Sequence, residues 1–253
     1  MNIAREQIQS FHDNGYVIFR GLATLEETAD MRRVAERELE NSHDPLEYEA
    51  DVAYPGSPES LDAPGGTTIR RLQDAWSRDG ALASWGLNER VGVRLRELFG
   101  HEQILLVHNH HNCIMTKHPR YSSETHWHQD NRYWSYEQND LITVWLALGH
   151  EEQVNGGMNV IPGSHRMHFD DERYDDVFFL REDLPQNQAL IEQAVLAELD
   201  PGDVLFFHSR LFHAAGRNRT ERRKFALVFT YRRADNDPLD SATGDNDVPL
   251  PAY

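Results

Sequence analysis

Residues 200–218 read DPGDVLFFHSRLFHAAGRN. A Pro-Gly-Asp turn leads into an unbroken apolar run, Val204 to Phe207, which is too short for a buried helix and is bounded by turn formers. Two histidines follow, His208 and His213. Other strand-like runs lie on either side of this stretch. "QILLVHNHHNCIMTK", "DLITVWLALGHE" and "MNVIPG" lie before it and "KFALVFTYRR" after it, all separated by Gly, Pro, Asn and Asp. From about residue 102 onward the chain therefore reads as β-rich.

The first hundred residues have a different period. "REQIQSFHDNG" carries Ile8 and Phe11 at helical spacing and ends in Asn-Gly, so a short helix should lead into the strand "YVIFRGL". "TLEETADMRRVAERELENS" predicts an amphipathic helix capped by Thr24, with Leu25, Met31, Val34 and Leu39 as its buried stripe. Residues 43–68 are acidic and broken by Pro and Gly, which predicts a long loop near a site entrance. "GALASWGLNERVGVRLRELFG" resumes the helical period. Helices first and strands after argue for a mainly β barrel or sandwich with helices packed outside it, mostly from the N-terminal half. The jelly roll, or double-stranded β-helix, is the leading form. Residues 1–253 are expected to form one domain, with a polar tail from about residue 234 that is extended or disordered unless it covers the barrel mouth.

Composition narrows the function. A formal charge of −17 repels phosphate backbones and anionic membranes, so neither a nucleic acid nor a membrane is the expected partner. The basic run "RNRTERRK" lies between apolar strands and reads as a solvated hairpin edge. The single cysteine, Cys113, excludes an intramolecular disulfide and a Cys-rich zinc knuckle. With no signal-like N-terminus or spanning segment, a cytoplasmic protein is expected.

The chemistry concentrates in "THWHQDNRYW", residues 125–134, where His126, His128 and Asp130 alternate. A strand would set these three in a row on one face. Such a pair of ligand types is common in exposed strands, and only a third ligand from a distant strand would make it a metal site. His208 and His213 supply candidates. Two histidines and one carboxylate on a six-coordinate metal leave three positions open, the facial arrangement suited to non-heme Fe(II) and oxygen; zinc accepts the same ligands without redox chemistry.

Taken in order, "HQDNRYW", "TVWLALGHEEQVNGGMNVIPGSHR" and "PGDVLFFHSRLFHAAGRNRT" resemble the phytanoyl-CoA dioxygenase family of Fe(II)- and 2-oxoglutarate-dependent oxygenases. The resemblance runs from about Gly15 to Tyr231. It implies Fe(II), 2-oxoglutarate and O2 as cofactor and cosubstrates, a small-molecule substrate, and release of succinate and CO2. It assigns the metal to His128, Asp130 and His213. His126 becomes a neighbouring entrance residue, His208 a hydrogen-bonded core histidine, and His165 a turn residue. The carboxylate at Asp130 favours hydroxylation over the halogenation of relatives that carry a small residue there.

The resemblance also implies an arginine eleven positions beyond the distal histidine to pair the far carboxylate of 2-oxoglutarate. Here that position holds Lys224. Strand alternation places Arg222, Lys224, Ala226, Val228 and Thr230 on one face, so Lys224 is the first candidate anchor, Arg222 the second and Arg223 the third, with Thr230 lending a hydroxyl. Trp145 resembles a tryptophan lining the cosubstrate pocket. Arg71, with Gln73 in "RRLQDAW", resembles a segment whose basic side chain reaches it, and Lys117 precedes the metal pair. Tyr133, Trp134 and Tyr136 are expected at the entrance. The missing arginine keeps open a zinc or manganese hydrolase or isomerase, and a non-catalytic binding barrel is the other alternative.

Overall fold

The computed structural model describes residues 4–52, 54–240 and 246–252. Its strands are β1 (Tyr16–Phe19), β2 (Leu46–Tyr48), β3 (Ile69–Gln73), β4 (Ile104–Lys117), β5 (Thr125–His128), β6 (Leu141–Ala147), β7 (Met158–Val160), β8 (Val195–Leu196), β9 (Val204–His208), β10 (His213–Ala215), β11 (Lys224–Arg233) and β12 (Val248–Pro249). They form two antiparallel sheets. The larger runs β1-β9-β6-β11-β4-β3-β2, with β12 also paired to β4, and the smaller runs β5-β10-β7-β8. The jelly-roll expectation holds, as two facing sheets and not as a continuously hydrogen-bonded barrel.

Period-two alternation in β11 shows why the sheets face each other. Phe225, Leu227, Phe229 and Tyr231 point into a core shared with the N-terminal helices. Ala226 and Val228 point the other way, into a smaller cluster with Trp145, Leu205 and Phe207 of the large sheet and Met158 and Val160 of the small one. Full burial of each large side chain stabilises the fold by about 1.5–3 kcal/mol, and both faces of this sheet are covered. The space between the sheets is where polar side chains gather.

Helices α1 (Arg5–Asn14), α2 (Leu25–Asn41), α3 (Ala75–Arg78), α4 (Gly80–Gly86) and α5 (Glu89–Phe99) come from the first hundred residues, and α6 (Pro185–Ile191) from the second half. None is long and apolar enough to cross a membrane. Helix α1 ends at Gly15, whose φ of +81° suits glycine, and a Cβ there would lie 2.4 Å from His165 Nδ1. Thr24 caps α2 as expected, accepting from Glu27 N while Glu27 accepts from Thr24 N. Met31 and Val34 are buried, but Leu25 is 75% exposed. Six residues before Met31, it stands about a third of a turn off the buried face.

Three other expectations are corrected. The helical run from residue 80 breaks at Leu87, and Asn88 Oδ1 caps the second helix by accepting from Arg90 N at 2.9 Å. The expected loop at 43–68 contains β2, which brings Glu47 to Arg70 and Arg71 on β3, and the fully buried Glu49 just after it meets Arg70. The tail does not hang free where it is described. Val248 and Pro249 pair with β4, Leu250 is buried, and Asp247 accepts from Arg232 at 2.6 Å; residues 241–245 lie outside the described residues.

One helix cap carries a pH signature. Asp79 accepts from Ala81 N at the start of α4 and from Arg37, and the Arg37 bond, with the backbone bond second, holds its carboxyl below the ordinary 3.8. A depressed folded value stabilises above the unfolded value and is lost as pH falls through the folded one. Asp79→Ala should therefore cost about 1 kcal/mol near neutral pH. In paired urea titrations the gap to wild type should close below the ordinary carboxylate range.

Candidate metal centre and cosubstrate cavity

Strand register brings the two distant histidines together. In the β5–β10 ladder His128 is the direct partner of His213, and their rings stand 4.1 Å apart between centroids. Asp130 follows at the turn out of β5. Its Oδ1 lies 3.8 Å from His128 Nε2 and 3.6 Å from His213 Nε2. One ligand atom from each residue falls within 4.8 Å of the others, and all three residues are buried.

The tautomers are fixed by the backbone. His128 Nδ1 donates to the carbonyl of His126 at 2.8 Å and His213 Nδ1 to that of Leu211 at 3.0 Å, because a carbonyl can only accept. Both Nε2 lone pairs are left facing Asp130. This is how imidazole ligands are oriented for a metal. Burial pushes the His128 imidazolium well below its ordinary range, which keeps the ring neutral and ready to ligate. Burial raises Asp130, and the opposing pull of His213 and Arg71 limits the rise. Thr143 Oγ1 donates to Asp130 Oδ2 at 3.4 Å. Two neutral imidazole nitrogens and one carboxylate make a donor set that suits a divalent metal ion.

Beside the triad opens a cavity lined among others by Arg71, His111, Lys117, Trp145 and Lys224. Lys224 donates to Glu151 Oε2 at 2.8 Å, and Trp145 Nε1 donates to Glu151 Oε1 at 2.9 Å. Glu151 is wholly buried. The Lys224 ammonium also lies 5.0 Å from the centre of the Trp145 ring. Arg71 pairs with Glu47 at 3.2 Å.

The phytanoyl-CoA dioxygenase family model matches residues 11–226. The chain belongs to this family. Human peroxisomal phytanoyl-CoA dioxygenase is 25% identical over 248 residues, covering 93% of this chain and 70% of its own. An ectoine dioxygenase of Stutzerimonas stutzeri is 24% identical over 251 residues, covering 92% and 78%. The crystal structure of the epimerase SnoN with Fe3+, alpha-ketoglutarate and nogalamycin RO superposes with a TM-score of 0.74 at 20% identity, over 92% of this chain and 84% of that one. The fold is thus that of the family.

Against the family pattern, the structure brings together His128, Asp130 and His213, and around the cavity Lys224, Trp145, Arg71 and Lys117. Two candidates are corrected. Arg222 is exposed outside the cavity, because β11 begins only at Lys224 and the preceding turn is held by Asn218 Nδ2 donating to the Arg222 carbonyl. Thr230 is buried on the expected face, but its hydroxyl meets Thr143 at 3.5 Å, on the Asp130 side, and does not line the cosubstrate cavity. Arg223 is exposed as well, at a separate groove beside His118.

The three other histidines weighed from the sequence lie outside the ligand set. His126 is half-exposed against Phe179, His208 accepts from Arg210 N at 3.0 Å, and His165 Nε2 donates to the His12 carbonyl at 3.2 Å. Of the entrance aromatics, Tyr133 is half-exposed with its ring 6.3 Å from His128. Trp134 and Tyr136 are buried, with Trp134 stacked on His110 at 4.7 Å.

Three residues of the site escaped the sequence reading. Alternation along β4 puts His111 on the face of Cys113, Met115 and Lys117, a signal that was available. A bulge opposite Phe229 and Thr230 then aims it at Asp130, with Nδ1 3.8 Å from Oδ2 and no hydrogen-bond partner among the described residues. Arg70 is buried and donates to Ser123 Oγ and Thr125 Oγ1 at 2.8 and 2.9 Å. Glu151 follows β6 in an irregular segment where no periodicity could single it out.

Proposed function

We propose that this protein is an Fe(II)- and 2-oxoglutarate-dependent oxygenase that oxidises a small molecule, most simply by hydroxylation. The observation that carries the reading is the buried His-Asp-His set, with both Nε2 lone pairs presented beside a cation-lined cavity. His128, Asp130 and His213 would hold the metal. When bound, the metal and cosubstrate couple the oxidation of 2-oxoglutarate to succinate and CO2 to the insertion of an oxygen atom from O2 into a substrate bond.

The chain's own residues orient and shield. The carbonyls of His126 and Leu211 keep the imidazoles in the ligating tautomer. Trp145 and the basic residues of the cavity would receive the cosubstrate, since a buried carboxylate needs a cation. Phe179, 5.9 Å from His128, and Tyr133, 6.3 Å from it, stand beside the metal face and would limit the access of water to it. The substrate is a small molecule entering past these rings.

The reading treats residues 1–253 as one domain, supported by the pairing of β1 into the sheet that carries Trp145 and Lys224. A reducing, cytoplasmic setting is part of the proposal and rests on the lone, buried Cys113.

An anaerobic titration tests it. Fe(II) and 2-oxoglutarate added to the metal-free protein should produce the visible charge-transfer band of the chelate. A colourless titration with tight zinc binding would select the hydrolytic alternative. A screen for succinate release over candidate metabolites then identifies the substrate.

A further inference from the structure

Four cationic side chains line the cavity: Arg70, Arg71, Lys117 and Lys224. Three of them meet carboxylates. Arg70 lies 3.3 Å from Glu47 and 3.7 Å from Glu49, Arg71 is 3.2 Å from Glu47, and Lys224 is 2.8 Å from Glu151. Among the described residues, no carboxylate comes within 4.0 Å of Lys117. Lys117 is nonetheless buried, 7% exposed. Its ammonium donates to two backbone carbonyls, Ser123 O at 3.0 Å and Gly216 O at 2.7 Å. An ammonium has three donors, so one remains.

A buried cation with only dipoles for partners is costly and favours an anion. Burial, with Arg70 and Lys224 nearby, pushes the Lys117 ammonium well below its ordinary range, a penalty that an incoming carboxylate relieves. The chain also keeps space for this side chain. Gly156 has φ +78°, and a Cβ there would stand 2.7 Å from Lys117 Cδ and 2.5 Å from Gly216 O. Lys117 and Lys224 are direct cross-strand partners on β4 and β11, so one cavity wall carries both.

We propose that Lys117 is the cation that holds the far carboxylate of the cosubstrate, and that Glu151 makes Lys224 a neutral wall of the same pocket. The inference rests on the 2-oxo acid reading above. It moves the anchoring charge across one strand from the position where the family carries arginine. The charges agree once the incoming carboxylate holds Lys117 protonated: the pocket then keeps one uncompensated positive charge, and a divalent metal with one aspartate and a dianionic 2-oxo acid carries one net negative charge.

The test is the anaerobic band titration of Fe(II)-loaded protein with 2-oxoglutarate and with 2-oxovalerate, which has the same chain length but no second carboxylate. Wild type should prefer 2-oxoglutarate. Lys117→Met, with Lys117→Gln as a second variant, should weaken 2-oxoglutarate by roughly 10- to 100-fold and leave 2-oxovalerate unchanged, which also shows that the variant is folded. The double variant Lys224→Met, Glu151→Gln removes a neutral pair and should keep most of the preference. If the double variant loses as much preference as Lys117→Met, or if Lys117→Met loses none, the assignment is overturned while the cosubstrate reading stands. A wild type that gives no band with either acid removes the cosubstrate reading itself, and the assignment with it.

Discussion

Replacing His213 with alanine should abolish metal retention and turnover together while leaving the protein folded. The imidazole supplies one of three donors from a separate strand, and its loss leaves His128 and Asp130 as a two-residue site. Altering groups that merely orient ligands costs about 10- to 100-fold in metal affinity, so deleting a ligand should cost at least about 100-fold. Iron bound after desalting and succinate formed per minute are the two measurements. A variant that keeps stoichiometric iron and normal succinate release would dissolve the proposed centre. Asp130→Ala should behave the same way, because its carboxylate is the donor shared between the two rings.

The second large effect is on stability. Lys224→Met leaves Glu151 buried without its counter-ion, its remaining polar contact there being the Trp145 indole. Breaking a buried pair from one side destabilises by about 3–5 kcal/mol, because the orphaned charge keeps its desolvation cost. Adding Glu151→Gln should return much of that loss, since an amide still accepts from the indole and carries no charge. A double-mutant cycle by chemical denaturation measures the coupling. Additive losses, with no recovery in the double variant, would mean that the pair does not act as a unit.

Much of this architecture was legible because it is periodic. The alternation in "KFALVFTYRR" separated the helix-facing residues from those facing the second sheet, and both sets lie where the pattern placed them. Thr24 marked the start of α2 for a local reason, since a cap depends only on the next three residues. Leu25 was misplaced because apolar character at a helix end says nothing of its angular position. Arg222 was misplaced because alternation was extended past the strand end, where the turn resets the direction of side chains. Thr230 kept its face, but a strand face is longer than a ligand, and a correct face did not put the hydroxyl in the cavity.

Periodicity along the chain determined the fold class, and the ordered motifs, through their resemblance to the family, gave the three metal-binding candidates, because both depend on residue type and spacing. Convergence was decided in three dimensions. The β5–β10 register sets His128 opposite His213, the bulge in β4 aims His111, and the segment after β6 brings Glu151 under Lys224. Which lysine carries a free charge is likewise a tertiary matter. A charge counts only after its neighbours have been subtracted, and the carboxylates beside Arg70, Arg71 and Lys224 come from segments remote from them along the chain or outside any periodic element.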